Sequence, residues 1–416
     1  MFKYLKSLLN SGKYYFFCDI LERSISFIVF LVFAKALSTS VYGQIVTLFA
    51  VTSIIATLFD FGLPVYIQRE SARSNNLNTV YNQILLLKLL SLIVYLIISV
   101  AVVNIFMPSI NHYFALIIIC ITFIVNTGNS LKFIFYGRDN SKQVFYSSGT
   151  AKIILLAAIG GTYVFYPNVY IFLLGYLFAN VFLTIRLLYS LKVYHLNIIP
   201  VFSGIKYLKT IFISIIPLGF ASIFNILYDR IDIILLNFFL DYHIVAQYFV
   251  AYTIYKLSVI ALSIFIYPAL NRFSRESNNS SVLLFLLKKL STIILFCSIL
   301  LSILYYFVIP KLVIFTFGTK YMEASKLIAY LGIAITFISL NNLTGVFLNA
   351  VGKFKEVMIA TLIGLIINIL ANVLAIPTFK AIGAVFASIL TEFLILTIET
   401  VFIYYYFINK KKIIGT

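Results

Sequence analysis

Apolar runs of about 20 residues or more recur along the whole chain, and they constrain the fold more than any other feature. A run of this length crosses the hydrocarbon core of a bilayer, about 30 Å thick, as an α-helix. The runs are continuous rather than alternating, which argues against the strands of a transmembrane barrel. We predict twelve spans, at 14–37, 42–67, 81–106, 113–136, 144–166, 169–191, 211–239, 245–270, 282–309, 324–350, 357–376 and 381–407. The predicted fold class is an all-α membrane protein with twelve transmembrane helices.

The charged residues indicate the topology. Of the 416 residues, 62% are hydrophobic and 11% are charged, and the net charge is +18. Most Lys and Arg residues fall on the side of the membrane that holds the N-terminus, and few fall on the opposite side, as the positive-inside rule requires. We therefore predict that both termini are cytoplasmic. The positive charge is expected to meet anionic lipid headgroups, and we expect no nucleic acid as a partner.

The sequence lacks the motifs of soluble chemistry. It has no G-x-x-x-x-G-K-[ST] loop for a nucleotide, and its three histidines lie far apart along the chain. The predicted outer connections are too short for an external catalytic domain. We expect no cofactor, no metal centre and no enzymatic activity.

Landmarks at the ends of the spans repeat at an offset of roughly 200 residues, which indicates two halves. Pro108 and Pro310 close the third and ninth spans, and Pro167 and Pro377 close the fifth and eleventh. We predict an N-terminal six-helix bundle at 1–200 and a C-terminal six-helix bundle at 201–416. Because six is even, the bundles should be related by a pseudo-twofold axis along the membrane normal, with a substrate path between them. The alternative is that prolines simply collect at helix ends.

Several basic residues lie within spans, where each charge costs roughly 2.5–3.5 kcal/mol on insertion scales. Arg23 and Arg230 lie in the first span of their halves, and each directly follows an acidic residue. Two guanidinium groups facing a central cavity would bind phosphate oxygens bidentately. The predicted substrate-binding residues are Arg23, Lys152, Arg230 and Lys256. Local ion pairs that stabilise helix packing are the alternative.

Acidic residues within the spans have two interpretations. They could couple transport to a proton or a cation, or they could balance the charge of the basic residues. The residues concerned are Asp60, Asp229, Asp232 and Glu392. Asp19 and Glu22 are expected to pair with basic residues on the same helix or on a neighbouring one.

Other features are expected to be structural. Lys88 and Glu399 lie near the inner ends of their spans, where their side chains could snorkel into the headgroups. Gly175-x-x-x-Ala179 and Gly383-x-x-x-Ala387 occupy corresponding places in the two halves. Small residues at this spacing predict close packing of helices.

Ordered motifs along the chain resemble those of the polysaccharide biosynthesis proteins, the O-antigen and capsule repeat-unit flippases. They are "LFDFGLPVYIQRE" at 58–70, "DRIDIILL" at 229–236, "FGTKYMEASKLIAYL" at 317–331 and the run at 348–392. The family belongs to the multidrug/oligosaccharidyl-lipid/polysaccharide superfamily, and the resemblance implies two helical bundles with alternating access. One departure is the outer turn "IPTFKAIGA", where the family pattern leads us to expect a Gly nearer the Pro and no Lys380.

The resemblance implies a substrate, a location and partners. The substrate would be an oligosaccharide repeat unit on undecaprenyl pyrophosphate, moved from the cytoplasmic to the outer face of the bacterial inner membrane. Membrane lipids, a polysaccharide polymerase and a chain-length regulator are the implied partners. A lipid II flippase, a drug/cation transporter of the same superfamily and a polysaccharide polymerase are the alternatives.

Overall fold

Helices form nearly all of the computed structural model, which describes residues 2–73, 77–192, 205–276 and 279–414. Hydrocarbon offers no partners to backbone N–H and C=O groups, so an apolar chain satisfies them within helices. The helices are α1 (Phe2–Ala36), α2 (Thr39–Asp60), α3 (Leu63–Arg73), α4 (Leu77–Phe106), α5 (His112–Gly137), α6 (Ser141–Phe165), α7 (Val169–Lys192), α8 (Ile205–Phe239), α9 (Tyr242–Arg275), α10 (Ser280–Phe307), α11 (Ile309–Phe317), α12 (Met322–Ala350) and α13 (Phe354–Ile414).

Twelve long helical segments of the described chain correspond to the twelve predicted spans. Helix α13 contributes two of them, because Lys380 has non-helical dihedral angles (φ 52°, ψ −137°) and separates a first segment from a second. Judged by length and composition alone, eight helices within the described ranges could cross a membrane, with α13 counted once. The chain is a multi-pass membrane protein.

The predicted second span, 42–67, is wrong in one respect, because the structure divides it. Helix α2 ends at Asp60, and α3 begins at Leu63. Phe61 and Gly62 between them have positive φ angles of 37° and 78°, which an α-helix cannot accommodate. The long apolar run did not reveal this break.

Contacts between residues divide the chain into two compact units. The first unit consists of Met1–Ser38 and Thr47–Ile226, and the second consists of Thr39–Val46 and Leu227–Thr416. Each unit has its own apolar core: Leu63, Phe135 and Leu187 are buried in the first, and Phe273, Leu343 and Phe347 in the second. The domain boundary predicted at residue 200 stays a prediction.

Close packing at the two small-residue pairs is confirmed. A Cβ atom on Gly383 would lie 2.4 Å from the backbone oxygen of Ala375, where the two segments of α13 approach each other. A Cβ atom on Gly175 would lie 3.1 Å from the Cβ atom of Ala158 on α6. Both contacts are closer than ordinary van der Waals contact, so the missing side chains allow these helices to approach.

Candidate functional site

Asp229 holds two basic side chains of the second unit. Its Oδ2 lies 3.4 Å from Nε of Arg230, and its Oδ1 lies 3.3 Å from Nζ of Lys256. The hydroxyl of Tyr252 also donates a hydrogen bond to Oδ1, at 3.1 Å, and Nζ of Lys256 lies 5.2 Å from the centre of the Tyr252 ring. Helix α8 supplies Asp229 and Arg230, and α9 supplies Tyr252 and Lys256 one turn apart. We call these four residues the cationic cluster.

The cationic cluster has an excess of positive charge that is partly open to a ligand. One carboxylate balances only one of the two cations. The side chains of Asp229, Arg230 and Lys256 are 31–35% exposed. Nε of Arg230 is buried and makes no hydrogen bond within the described structure. A guanidinium has five N–H donors, so the four on the two terminal nitrogens of this partly exposed side chain can be offered to an anion.

Asp232 lies one turn beyond Asp229 on α8, in neutral surroundings. Its Oδ2 accepts hydrogen bonds from the hydroxyls of Tyr248 (2.6 Å) and Ser388 (3.1 Å), and its Oδ1 accepts one from Nδ2 of Asn372 (2.7 Å). The side chain is buried, and no basic side chain of the described residues lies within ion-pair distance. Asn372 also donates to Oδ1 of Asn368, at 3.1 Å. Three helical segments thus direct polar groups at one carboxyl group.

Glu392, on the second segment of α13, has equally neutral partners. Its Oε1 accepts from the hydroxyl of Tyr228 at 2.6 Å, and its Oε2 accepts from Nδ2 of Asn341 at 2.6 Å. It is 5% exposed, and it forms no ion pair with any described residue. Five of the eight predicted site residues therefore lie on α8 or on a helix bonded to it: Asp229, Arg230 and Asp232 on α8, Lys256 on α9 and Glu392 on α13.

In the first unit the predicted site residues have separate partners. Arg23 forms an exposed ion pair with Asp19, one turn earlier on α1, at 2.8 Å. Lys152 of α6 donates to Oγ of Ser26 at 3.3 Å. Glu22 accepts from the buried Nζ of Lys132 at 2.6 Å. The expectation that Asp19 and Glu22 pair with basic residues, one on its own helix and one on a neighbouring helix, is confirmed.

Asp60 is paired. Its Oδ1 lies 3.0 Å from Nζ of Lys88, and both side chains are nearly buried. Lys88 also donates to Oγ of Ser130 at 2.5 Å, so it joins α2 and α5 from α4. Oδ2 of Asp60 is buried without a hydrogen-bond partner within the described ranges, beside a small pocket that Asn126 and Thr127 help to line.

Two residues expected at the headgroups are buried instead. Lys88 is 8% exposed because it pairs with Asp60, and Glu399 is 3% exposed beside the hydroxyl of Thr344. The snorkelling prediction is wrong for both, because distance from the end of a span does not say whether neighbouring helices cover a side chain. The seven-residue interval between Glu392 and Glu399 could have indicated that Glu399 is buried, since it places both residues on one helix face.

A family model described as "Polysaccharide biosynthesis protein" matches residues 8–274, well over half of the chain. The chain belongs to the polysaccharide biosynthesis protein family. The family predicted from the sequence motifs is therefore confirmed. No individually curated protein sequence matches the chain significantly.

Solved structures with the same fold come from transporters. A lipid II flippase, MurJ, in an inward closed conformation matches 94% of this chain and 87% of its own, with a TM-score of 0.75 and 13% identity. An inward-facing multidrug resistance MATE family transporter of the MOP superfamily covers 94% of this chain and 96% of its own, with a TM-score of 0.70 and 13% identity. A MOP superfamily transporter from Pyrococcus furiosus covers 98% and 96%, with a TM-score of 0.63 and 12% identity.

These matches confirm the predicted fold class: an all-α membrane protein of twelve transmembrane helices in two six-helix bundles. At 12–13% identity they establish the fold alone. One of these proteins is a lipid II flippase, and another is a multidrug resistance transporter.

Proposed function

We propose that this protein is a flippase for oligosaccharide repeat units linked to undecaprenyl pyrophosphate, of the O-antigen or capsule type. It moves them by ion-coupled alternating access from the cytoplasmic to the outer face of the bacterial inner membrane, and both of its termini are cytoplasmic. Family membership supports the pathway. The fold shared with a lipid II flippase supports the reaction, because that protein also moves a lipid-linked substrate.

The observation that carries the choice of an anionic substrate is the cationic cluster. Arg230 and Lys256 share a single carboxylate, and the guanidinium of Arg230 has unused donors. A diphosphate or an acidic sugar would supply the missing negative charge and accept from both cations. Excess positive charge repels a cationic drug, so the same observation argues against a drug/cation transporter.

The physical task explains why such a cluster lies within a span. Sugar hydroxyls and a diphosphate cannot cross hydrocarbon unaided, because each polar group left without a partner costs several kcal/mol. Arg230 and Lys256 would replace the water around the anionic head. Arg23 and Lys152 are the proposed substrate-binding residues of the first unit. The polyprenyl tail would stay in the lipid, so membrane lipids are a partner. A polymerase and a chain-length regulator would act on the delivered units.

In this scheme, Asp232 is the first candidate to bind the coupling ion. Its oxygens face only neutral donors within the described structure, unlike Asp60, whose charge Lys88 compensates. Asp229 would set the charge of the cationic cluster, and Glu392 would serve coupling together with Asp232.

The test compares variants in a strain that lacks the gene, at equal protein level. Deletion should cause undecaprenyl-linked repeat units to accumulate on the cytoplasmic side while surface polysaccharide disappears. Arg230→Gln should restore little polymer, and Arg230→Lys more, since lysine keeps the charge but not the bidentate fork. Arg272 is an exposed residue in the last turn of α9. Arg272→Gln is therefore the matched control and should behave as wild type.

Two results would overturn the proposal. If both Arg230 variants match wild type, the cationic cluster does not bind the substrate. If single repeat units still reach the outer face unpolymerised in the deletion strain, the protein acts after translocation, as a polymerase would. Dye transport by reconstituted vesicles would instead support the drug/cation alternative.

A further inference from the structure

His243 lies in the first turn of α9, where it meets the part of α2 that belongs to the second unit, Thr39–Val46. Nδ1 of its ring lies 2.6 Å from the hydroxyl oxygen of Thr39. The other ring nitrogen, Nε2, lies 3.3 Å from Nε2 of Gln247, one turn later on α9. We call these two hydrogen bonds the His243 contact. Through this contact, the start of α2 is bonded to α9.

Two backbone partners fix the amide orientation of Gln247. Its Oε1 accepts from the backbone N–H of Ala324 at 3.0 Å, and its Nε2 donates to the backbone oxygen of Lys320 at 2.6 Å. A backbone N–H only donates and a backbone oxygen only accepts, so turning the amide over would lose both bonds. Gln247 is also 1% exposed, so the close packing around it leaves its side chain little room to move. The group that Gln247 presents to His243 is therefore an NH₂ donor.

This donor decides which form of the His243 ring fits. Nε2 of the ring must accept from the Gln247 amide, so it carries no hydrogen. A neutral imidazole then has its hydrogen on Nδ1, which donates to the hydroxyl of Thr39. An imidazolium has a hydrogen on each nitrogen, so its Nε2–H would face the N–H of Gln247 in a repulsive contact. Only the neutral ring forms both bonds of the His243 contact.

The charged groups near His243 do not supply a countercharge for an imidazolium. Asp241 caps α9 by accepting from the backbone N–H of Ile244 at 2.9 Å, and Nζ of Lys320 lies 5.5 Å from the centre of the Tyr321 ring. No carboxylate in the described ranges lies within ion-pair distance of His243. A positive charge in the first turn of a helix also opposes the helix dipole. The titratable groups on the packed elements are Tyr42 of α2, Asp241 and Tyr242 of α9, and Lys320, Tyr321 and Glu323 of the segment that begins α12.

Other contacts would keep α2 in place if the His243 contact broke. A Cβ atom on Gly43 would lie 1.8 Å from the backbone oxygen of Tyr242, so α2 and α9 are closely packed there. The rings of Tyr42 and Phe249 lie 6.2 Å apart. These contacts do not change in mild acid, because neither involves a group that titrates there. Loss of the His243 contact would therefore loosen the start of α2 without unfolding the second unit.

We propose that His243 makes the second unit sensitive to pH: the neutral ring holds the start of α2 against α9, and a proton on the ring releases Thr39. Histidine ordinarily takes up a proton near pH 6.5, so the change falls within about one pH unit of that value. The ring is partly exposed, so water can deliver the proton. In the topology predicted from the basic residues, this end of the unit lies on the outer side. The acidity outside the membrane would then control the contact, whatever the substrate.

The direct test is hydrogen exchange, read by mass spectrometry, on the full-length protein in lipid vesicles at about pH 7.5 and 5.5. After correction for the intrinsic pH dependence of exchange, the wild-type peptide covering Thr39–Val46 should lose protection about threefold at the lower pH, as loss of one hydrogen bond implies. His243→Asn keeps an N–H donor near the position of Nδ1 but does not titrate, so its protection should not change with pH. His112→Asn, at an exposed histidine that begins α5, is the matched control and should behave as wild type. Unchanged wild-type protection, or an equal loss in His243→Asn, would overturn the proposal.

A second pair of variants separates a titrating contact from a purely structural one. Gln247→Glu presents a carboxylate, which accepts from an imidazolium, so protection of the start of α2 should stay level or rise on acidification. Thr39→Val removes the partner of Nδ1 and keeps the shape of the side chain. Its protection should already be low at the higher pH and should fall little further. A wild-type loss of protection on acidification in both variants would reject the role of His243.

Discussion

The two units treat buried acidic residues differently. In the first unit Glu22 and Asp60 each pair with a buried lysine, Lys132 and Lys88. In the second unit Asp232, Glu392 and Glu399 accept from hydroxyl and amide groups instead. An ion pair fixes two helices together, because separating it leaves a buried charge. A carboxyl group among neutral donors can exchange a proton or an ion without breaking such a pair. We conclude that the first unit uses these charges for rigidity, and we propose that the second uses them for coupling.

The largest expected effect on stability comes from breaking the buried pair of the first unit. Lys88→Met leaves Asp60 buried without its countercharge, which should lower the free energy of unfolding by about 3–5 kcal/mol. Thermal unfolding in detergent measures this loss. Lys353→Met is the control, because it removes an exposed pair with Glu356 and should cost about 1 kcal/mol or less. The double variant Lys88→Met/Asp60→Leu should recover most of the loss. Equal unfolding temperatures for the two single variants would contradict this account.

Asp232→Asn should have the opposite profile, a small effect on stability and a large one on transport. An asparagine oxygen can accept from Asn372, and its NH₂ group can donate to the hydroxyls of Tyr248 and Ser388, so the hydrogen bonds survive. The free energy of unfolding should change by about 1 kcal/mol or less. Surface polysaccharide should nevertheless fall severalfold at equal protein level. If output stays at the wild-type level, the carboxyl group of Asp232 serves packing alone.

Arg23→Gln should have the smallest effect on stability. The pair with Asp19 is about half exposed on both sides, and such pairs contribute about 0.5 kcal/mol or less. Unfolding temperatures of this variant and wild type should therefore agree closely. A fall in surface polysaccharide at unchanged stability would support the substrate role of Arg23. A loss of stability similar to that of Lys88→Met would mean that the exposed pair is structural.

Local sequence signals predicted much of the fold and some of the site. Span length gave the twelve helices, because backbone hydrogen bonding in lipid leaves few other solutions. The Asp19–Arg23 pair follows from one turn of helix, and the small-residue pairs follow from the geometry of close helix packing. These features depend on residues that are near one another in the chain.

Features that depend on tertiary structure could not be predicted. Lys88 and Asp60 are 28 positions apart, and Lys132 and Glu22 are 110 positions apart. No local sequence pattern predicts either pair. Glu399 has an apolar span around it in sequence, but Thr344 and Gly345 of α12 lie beside it in the fold. The break at Phe61–Gly62 lies in an apolar run that looks continuous. Whether Arg23 and Arg230 face a common cavity stays a prediction.

The segment Thr39–Val46 ties the second unit to the beginning of the chain. A Cβ atom on Gly43 would lie 1.8 Å from the backbone oxygen of Tyr242, and Thr39 is hydrogen-bonded to His243 at 2.6 Å. These contacts join residues about 200 positions apart, so during synthesis they cannot form until the start of α9 has been made. A gene cut near residue 200 would encode a second piece without a strip of its own core. The second unit therefore contains residues from both halves of the chain, and it is completed only after both halves have been synthesised.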